Sequence, residues 1–387
     1  MLVKILLVLL VLSWIYLVAA YLLARVFFTQ PRKNNTSFTP PVSILKPVRG
    51  MDFQAYQNFA SFCEQDYPEF ELLFGVSDPN DPVIPQILRL QQEFPGRRIS
   101  LIIHEADEPN HKAGLLHELA SRARYDVLAA SDADIRVAPD YLRRVVAPLQ
   151  EERIGLVTCP YRGEIPLTFT ARLEALHMGV TFLPSVLVAR KVLKMRFALG
   201  ATNVLRRRDL ERIGGYEALA SYLADDYQIG NRIARTGLHV ALSDSIVISI
   251  LGATTFKTQW DRELRWAHCN RISRPLEYPG YALSFTLPWA ALLVLVSGAA
   301  SWAWGLLIFS LALRWSLAWA ITGLTGDAAS RRWLFWLPVR DGLSALIWCA
   351  GFVGKTVTWR DETFFLNSEG QLIPQKNVKV GRKWDWL

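Results

Sequence analysis

Hydrophobic positions follow two patterns in this chain: long runs toward the two ends and short alternating runs between them. The first run, Leu2 to Phe28, is broken only by Lys4, Ser13 and Arg25. At about 1.5 Å of rise per residue it is long enough to cross a bilayer core. A cleavable signal peptide would have a shorter apolar core and end at small residues. This run continues through Tyr21-Leu22-Leu23 and ends Arg25-Val26-Phe27-Phe28, so it reads as a retained anchor. Arg25, Arg32 and Lys33 follow it and only Lys4 precedes it, which turns the following residues toward the cytoplasm. A second apolar block, Tyr281 to Leu324, breaks near Gly298-Ala299-Ala300-Ser301 and has the length of a hairpin of two spans. A third, Trp333 to Val357, contains Arg340-Asp341 and Lys355, and charges in hydrocarbon are costly unless paired or interfacial. If it spanned fully, the basic tail (Lys376, Lys379, Arg382, Lys383) would lie outside, so the block reads as a broken or re-entrant helix pair at the cytoplasmic interface.

Between Pro40 and Pro279 short apolar runs alternate with amphipathic stretches, the pattern of an α/β domain. Strands are expected at Val42–Pro47, Phe70–Val76, Ile99–His104 and Val127–Ala130. Helices are expected at Phe53–Cys63, Ile84–Phe94 and Ala113–Arg124. In open parallel sheets ligands collect beyond the carboxyl ends of strands, and Asp78 and Asp132 both fall at such ends. The expected organisation is an anchor over 1–30, a cytosolic catalytic domain over 40–279, a membrane hairpin with interfacial or re-entrant helices over 280–360, and a basic tail over 361–387.

Composition narrows the class. The chain has 387 residues, 51% of them hydrophobic, with 14 Trp, which suits a membrane enzyme with interfacial aromatic belts. Lys and Arg number 43 against 35 Asp and Glu, a net charge of +8 that fits an anionic leaflet or an anionic nucleotide. Nucleic acid is the rival reading of this charge and is not expected as a partner: the longest basic run is Arg206-Arg207-Arg208, and no nucleic-acid motif accompanies it. Cys63, Cys159, Cys269 and Cys349 are scattered, without the spacing of a zinc site or a disulfide framework.

The candidate chemistry lies in four acidic or basic motifs. Asp132 and Asp134 are two apart after a buried strand, so both carboxylates can face one Mg²⁺ or Mn²⁺ that also takes substrate phosphates. Asp78, in Ser77-Asp78-Pro79-Asn80-Asp81-Pro82, is placed to hold a nucleoside, while Asp81 reads as a turn or helix cap. Asp225-Asp226 opens an amphipathic helix; Asp226 is either a general base for an acceptor hydroxyl or a charge favouring that helix terminus. Arg262 and Arg265 share a helix face, with Trp266 adjacent, and can grip a pyrophosphate or touch lipid headgroups. Lys112 opens a helix, where it can reach a donor phosphate or simply be solvated. No dinucleotide-binding glycine motif, Walker A loop or GxSxG elbow is present.

In these residues the chain resembles the ceramide glucosyltransferases, glycosyltransferase family 21, and the similar bacterial hopanoid-associated glycosyltransferases. The resemblance runs from about Val42 to Arg274. It is carried by Ser43-Ile44-Leu45-Lys46-Pro47, Gln65-Asp66-Tyr67-Pro68, the Asp78 turn, Asp132-Ala133-Asp134-Ile135-Arg136-Val137, Gly155-Leu156-Val157, Asp225-Asp226-Tyr227 and Arg262 to Trp266. It implies a GT-A (Rossmann-like) fold and inverting transfer of glucose or N-acetylglucosamine from a UDP-sugar to the hydroxyl of a membrane lipid such as ceramide or a hopanoid polyol. Asp78 would bind uridine, Asp132 and Asp134 the divalent cation and diphosphate, and Asp226 would be the base. Arg262, Arg265 and Trp266 would engage diphosphate and acceptor. Localisation would be a bacterial inner membrane. Two departures bear on donor sugar and acceptor: Asp134 stands where the eukaryotic enzymes have glycine, and Lys112-Ala113-Gly114-Leu115-Leu116 lacks the family's asparagine. The rivals are a processive polysaccharide synthase, which needs a translocation channel, and a non-catalytic lipid-binding protein on the same fold.

Overall fold

A computed structural model describes residues 1–30, 37–105, 107–359 and 362–374. Strands β1 (Val42–Pro47), β2 (Phe70–Val76) and β4 (Val127–Ser131) are buried at every position. That is why they read as mostly apolar rather than strictly alternating: both faces of the sheet are covered, and the polar exceptions, Ser43, Lys46 and Glu71 among them, are buried too. With β3 (Arg98–Ile103), β6 (Ile154–Thr158), β8 (Thr202–Arg206) and β9 (His239–Leu242) they form a seven-stranded sheet ordered β3-β2-β1-β4-β8-β6-β9. Pairing is parallel throughout except at β8, which runs antiparallel to both β4 and β6.

Successive residues of β1 feed opposite cores, as the two-residue period of a strand requires. Ile44 joins Phe59, Phe62, Leu72, Phe74 and Ile87 on one face, under α2 (Ala55–Cys63), α3 (Ile84–Glu93) and α5 (Tyr141–Val146). Leu45 joins Leu73, Leu119, Leu210 and Ile233 on the other, under α4 (His111–Arg122), α8 (Arg207–Glu211) and α9 (Asp225–Arg235). A second sheet, β5 (Ile135–Arg136), β10 (Val247–Gly252) and β7 (Tyr161–Pro166), begins where the chain leaves β4. Asp132-Ala133-Asp134 is the step between the two sheets. After β7 come α6 (Phe169–His177), a π-helical turn Met178–Phe182 and α7 (Leu183–Val192); α10 (Phe256–Ser273) follows β10.

Among the described residues two helices are long and apolar enough to cross a membrane: α1 (Leu2–Thr29) and α12 (Ser301–Leu324). The hairpin expected over 281–324 turns at Gly298 and Ala299, both with positive φ, and its first arm is bent rather than one straight helix. That arm is a 3-10 segment Tyr278–Ser284 bent by 77° from α11 (Thr286–Val296). Pro288 lies in the first turn of α11, where its ring suits a helix start rather than a continuous helix. The 333–357 block becomes a short 3-10 turn (Leu334–Trp336) and α14 (Leu337–Ala350), preceded by α13 (Ala328–Arg331). Then β11 (Thr356–Trp359), β12 (Glu362–Leu366) and β13 (Leu372–Pro374) form an antiparallel sheet, so ordered strands occupy the start of the segment read as a tail. The tail's Lys376, Lys379, Arg382 and Lys383 lie outside the described residues, as do Arg32 and Lys33.

Candidate active site

Two lysines fasten the Asp132 loop. Lys46, near the end of β1, is fully buried; its Nζ donates to the Asp132 carbonyl at 2.6 Å and stands 3.9 Å from the Phe62 ring centroid. Burial pushes its pKa down to about 7 against the pull of Asp134 and Asp132. Lys112, in the first turn of α4, reaches Asp132 Oδ1 at 2.5 Å. Burial works against its charge, but Asp132 and Asp225 outweigh it and hold the ammonium above the ordinary lysine value. Asn110 caps α4, its Oδ1 accepting from Ala113 N at 3.0 Å, and its Nδ2 donates to the Tyr222 carbonyl at 2.8 Å. The helix carrying Lys112 is thereby tied to the segment that leads into Asp225.

Asp134 points to the second sheet, where Ser249 Oγ donates to its Oδ2 at 2.6 Å. Burial and the neighbouring Asp132 charge raise its pKa. Asp226 opens α9; its Oδ1 accepts from Tyr227 N at 2.7 Å and its carbonyl accepts from Ala198 N at 3.3 Å. Burial, then the like charge of Asp225, lifts the Asp226 carboxyl to about 6, with Lys112 opposing. Pro47, Lys112, Asp132, Gly200, Asp225 and Asp226 line one pocket of about 330 Å³ including the solvent at its mouth.

The other expected residues, Asp78, Asp134, Arg262, Arg265 and Trp266, are not part of the lining of this pocket. Arg262 and Arg265 do lie on one helix, α10. Arg262 Nη2 donates to Glu174 Oε2 at 3.0 Å and to Thr254 Oγ1 at 3.4 Å, so it is partly engaged on the α6 side. Burial lowers the pKa of Arg265, while Cys269, Asp226 and Asp225 pull it back up, which places that guanidinium in the field of the α9 carboxylates. Trp266 is half-buried on the same helix. Asp78 is exposed just beyond β2, its Oδ1 accepting from Asn80 N at 2.8 Å; two strand spacings, about 10 Å, separate β2 from β4. Asp81 forms the expected turn, accepting from Val83 N at 2.9 Å.

Residues that motif reading passed over also shape the site. Lys46 belongs to a strand and to a motif that carries the family resemblance, but its sequence pattern assigns it no role in the site; a lysine inside a mostly apolar strand is the available signal. Glu174 is buried against Arg262, and burial raises its pKa to about 7. Its partner is 88 residues away, so no local pattern points to it.

The donor set fits a hard divalent cation. Asp132 and Asp134 supply two carboxylates, and among the described residues no cluster of three or more His, Cys, Asp or Glu stands ready to complete a protein-only site. Mg²⁺ and Mn²⁺ sites that use substrate phosphates and water need only such a pair. Two crowded like charges, one with its pKa already raised, are also what a cation would relieve.

A mostly parallel sheet delivering an acidic pair at the carboxyl end of its central strand β4, beside a second small sheet, is the arrangement of a GT-A glycosyltransferase. The chain matches the family described as "Glycosyl transferase family 21" over residues 5–372, and it belongs to that family. Ceramide glucosyltransferase 3 of Caenorhabditis elegans is 24% identical over 358 residues, spanning 88% of this chain and 76% of that protein. The beta-monoglucosyldiacylglycerol synthase of Synechocystis sp. is 24% identical over 263 residues, 67% of this chain and 53% of that one. Among solved structures, the mannosyltransferase PcManGT from Pyrobaculum calidifontis, in complex with GDP-Man and Mn²⁺, shares the fold. Its TM-score is 0.56 at 17% identity, covering 91% of this chain and 99% of that one.

Proposed function

We propose that this glycosyltransferase moves glucose, or N-acetylglucosamine, from a UDP-sugar to the hydroxyl of a membrane lipid, with inversion at the anomeric carbon. The acceptor is a ceramide, a diacylglycerol-type lipid or a hopanoid polyol, and the work is done at the cytoplasmic face of a membrane, a bacterial inner membrane in the simplest case. The observation that carries the reading is the single pocket holding Asp132, Lys112 and Asp226, with two apolar helices long enough to span a bilayer in the same chain.

In this mechanism Asp226 takes the acceptor hydroxyl proton as the oxygen attacks the anomeric carbon. The bond from that carbon to the diphosphate oxygen breaks, and UDP departs from the opposite face. Lys112 and Arg265, with Arg262, hold the negative charge that develops on the leaving diphosphate. Asp78 holds the nucleoside, and Trp266 flanks the acceptor. Asp132 and Asp134 would hold the divalent cation, which supplies further charge neutralisation at the diphosphate when bound. A pKa near 6 suits a base: ionised at neutral pH, yet basic enough to accept a proton.

The test is UDP release by purified protein in lipid vesicles, with UDP-glucose or UDP-N-acetylglucosamine, with ceramide, diacylglycerol or a hopanoid polyol, and with EDTA as control. Release that requires one lipid and vanishes with EDTA is expected. GDP release from added GDP-mannose with no UDP release from either UDP-sugar, or equal UDP release without any lipid acceptor, would overturn the reading.

A further inference from the structure

Arg340 and Asp341 are adjacent on α14 and buried to 0% and 3% exposure, yet they do not pair with each other. Arg340 turns to α10, its Nη1 and Nη2 donating to Glu263 Oε1 and Oε2 at 2.8 and 2.5 Å, with Ser344 Oγ accepting from Nε at 3.1 Å. Asp341 turns to α12, accepting from Arg314 Nε and Nη2, both at 3.0 Å. Arg314 also donates to the Val180 carbonyl at 3.0 Å, in the π-helical turn. A π turn widens the helix, and here one of its carbonyls is met by a guanidinium from a membrane helix. Two crossed ion pairs thus join the catalytic domain, the interfacial helix and a spanning helix.

Glu263 sits between the two arginines expected to grip the diphosphate. At 3.6 residues per turn it lies about 100° from Arg262 and about 160° from Arg265 around the helix axis. A two-pronged bond on that side fixes the rotation of α10, and with it the direction in which Arg265 faces. Gln259 reinforces it, its Nε2 donating to Glu263 Oε1 at 2.7 Å. Buried ion pairs add little to net stability because desolvation offsets their attraction, whereas they do select one geometry. A two-pronged, fully buried pair at this place is therefore better explained by orientation than by stability.

We propose that Arg340 and Glu263 are positioning residues for transfer: they set the rotation of α10 so that Arg262 and Arg265 meet the donor diphosphate. This rests on the transferase reading above. The experiment compares Glu263→Gln, Arg340→Gln, the exchanged pair Glu263→Arg with Arg340→Glu, and Asp341→Asn, all full-length in lipid nanodiscs. Asp341→Asn breaks an equally buried pair on the same helix and serves as the control for lost stability. Melting temperature, calorimetric UDP affinity in Mn²⁺, and kcat and KM for UDP-glucose are read below every variant's melting temperature.

Glu263→Gln and Arg340→Gln are expected to weaken UDP binding and lower kcat by about ten- to a hundredfold, the usual cost of misplaced groups. The exchanged pair should restore part of both. Asp341→Asn should lower the melting temperature with UDP affinity kept. Wild-type UDP affinity and kcat per folded molecule in Glu263→Gln would overturn the proposal, as would the same loss of UDP affinity in Asp341→Asn. If the wild type itself binds no UDP and transfers no sugar, the transferase reading has failed and not the positioning argument.

Discussion

Asp226, the proposed base, carries a raised pKa that has consequences for both transfer and stability. Burial and Asp225 raise its pKa to about 6, and Lys112 limits the rise. Transfer should therefore climb as pH rises through about 6 and level off above it. Asp225→Asn removes the like charge, so the acid limb of the kcat profile should move to lower pH; a limb that stays in place would separate that titration from Asp226. The same shift bears on stability. A carboxyl whose folded pKa exceeds its unfolded value near 3.9 stabilises the fold at low pH, and that contribution is lost as pH rises through about 6. Asp226→Asn should abolish transfer and raise the melting temperature more at pH 8 than at pH 5. At this scale legibility followed chain locality. The Asp132–Asp134 pair was readable because it ends a buried strand. Asp226 stayed open between base and helix-terminus charge because the pocket that decides its surroundings is built from β1, β4 and α4. Glu174 and Arg340 were unreadable as site neighbours, since their partners lie 88 and 77 residues away.

Helix α9 carries Asp226 to the pocket by pressing unusually close to another backbone. A Cβ on Gly230 would overlap the main chain of Phe197 and Ala198, the segment whose Ala198 N–H bonds the Asp226 carbonyl. Gly230→Ala should therefore push α9 outward, costing about 1–3 kcal/mol of stability and lowering kcat at temperatures where the protein stays folded. Wild-type kcat alongside a lower melting temperature would show that α9 tolerates the shift. The elements themselves were readable to within a residue or two where one strand could be judged alone, as at Val42–Pro47 and Phe70–Val76. The antiparallel insertion of β8 between β4 and β6 was not, because direction within a sheet depends on partners far off in sequence. The bent first arm of the membrane hairpin had a visible cause in Pro288, but a hydropathy count passes over it.

At the scale of the whole molecule, α1 does more than anchor. Its buried positions, Leu6, Leu10, Ser13, Leu17, Ala20 and Ala24, recur at steps of three and four, one stripe of a helix, while Ile5, Val8, Ile15 and Leu22 face outward. The upper part of that stripe packs with Ala290, Leu293 and Ala303 of α11 and α12. The lower part reaches the catalytic domain, Ala24 meeting Leu183, Leu187 and Leu242. In lipid no hydrophobic driving force holds helices together, so packing and polar contacts must. Ser13 and Thr286 share a hydrogen bond between their hydroxyls, and Trp14 Nε1 donates to Ser310 Oγ at 3.0 Å. A helix of equal length and hydropathy built only from leucine and alanine would keep the outward face and lose both contacts and the fitted stripe. Replacing residues 2–29 by such a helix should leave the protein in the membrane after alkaline carbonate washing, yet lower its melting temperature and its transfer rate. Restoring Ser13, Trp14, Ala20 and Ala24 in that background should recover much of both. If the simple helix already matches the native protein in melting temperature and rate, α1 is an anchor alone, and the contact of Ala24 with Leu183 and Leu187 is incidental to how the catalytic domain is seated on the bilayer.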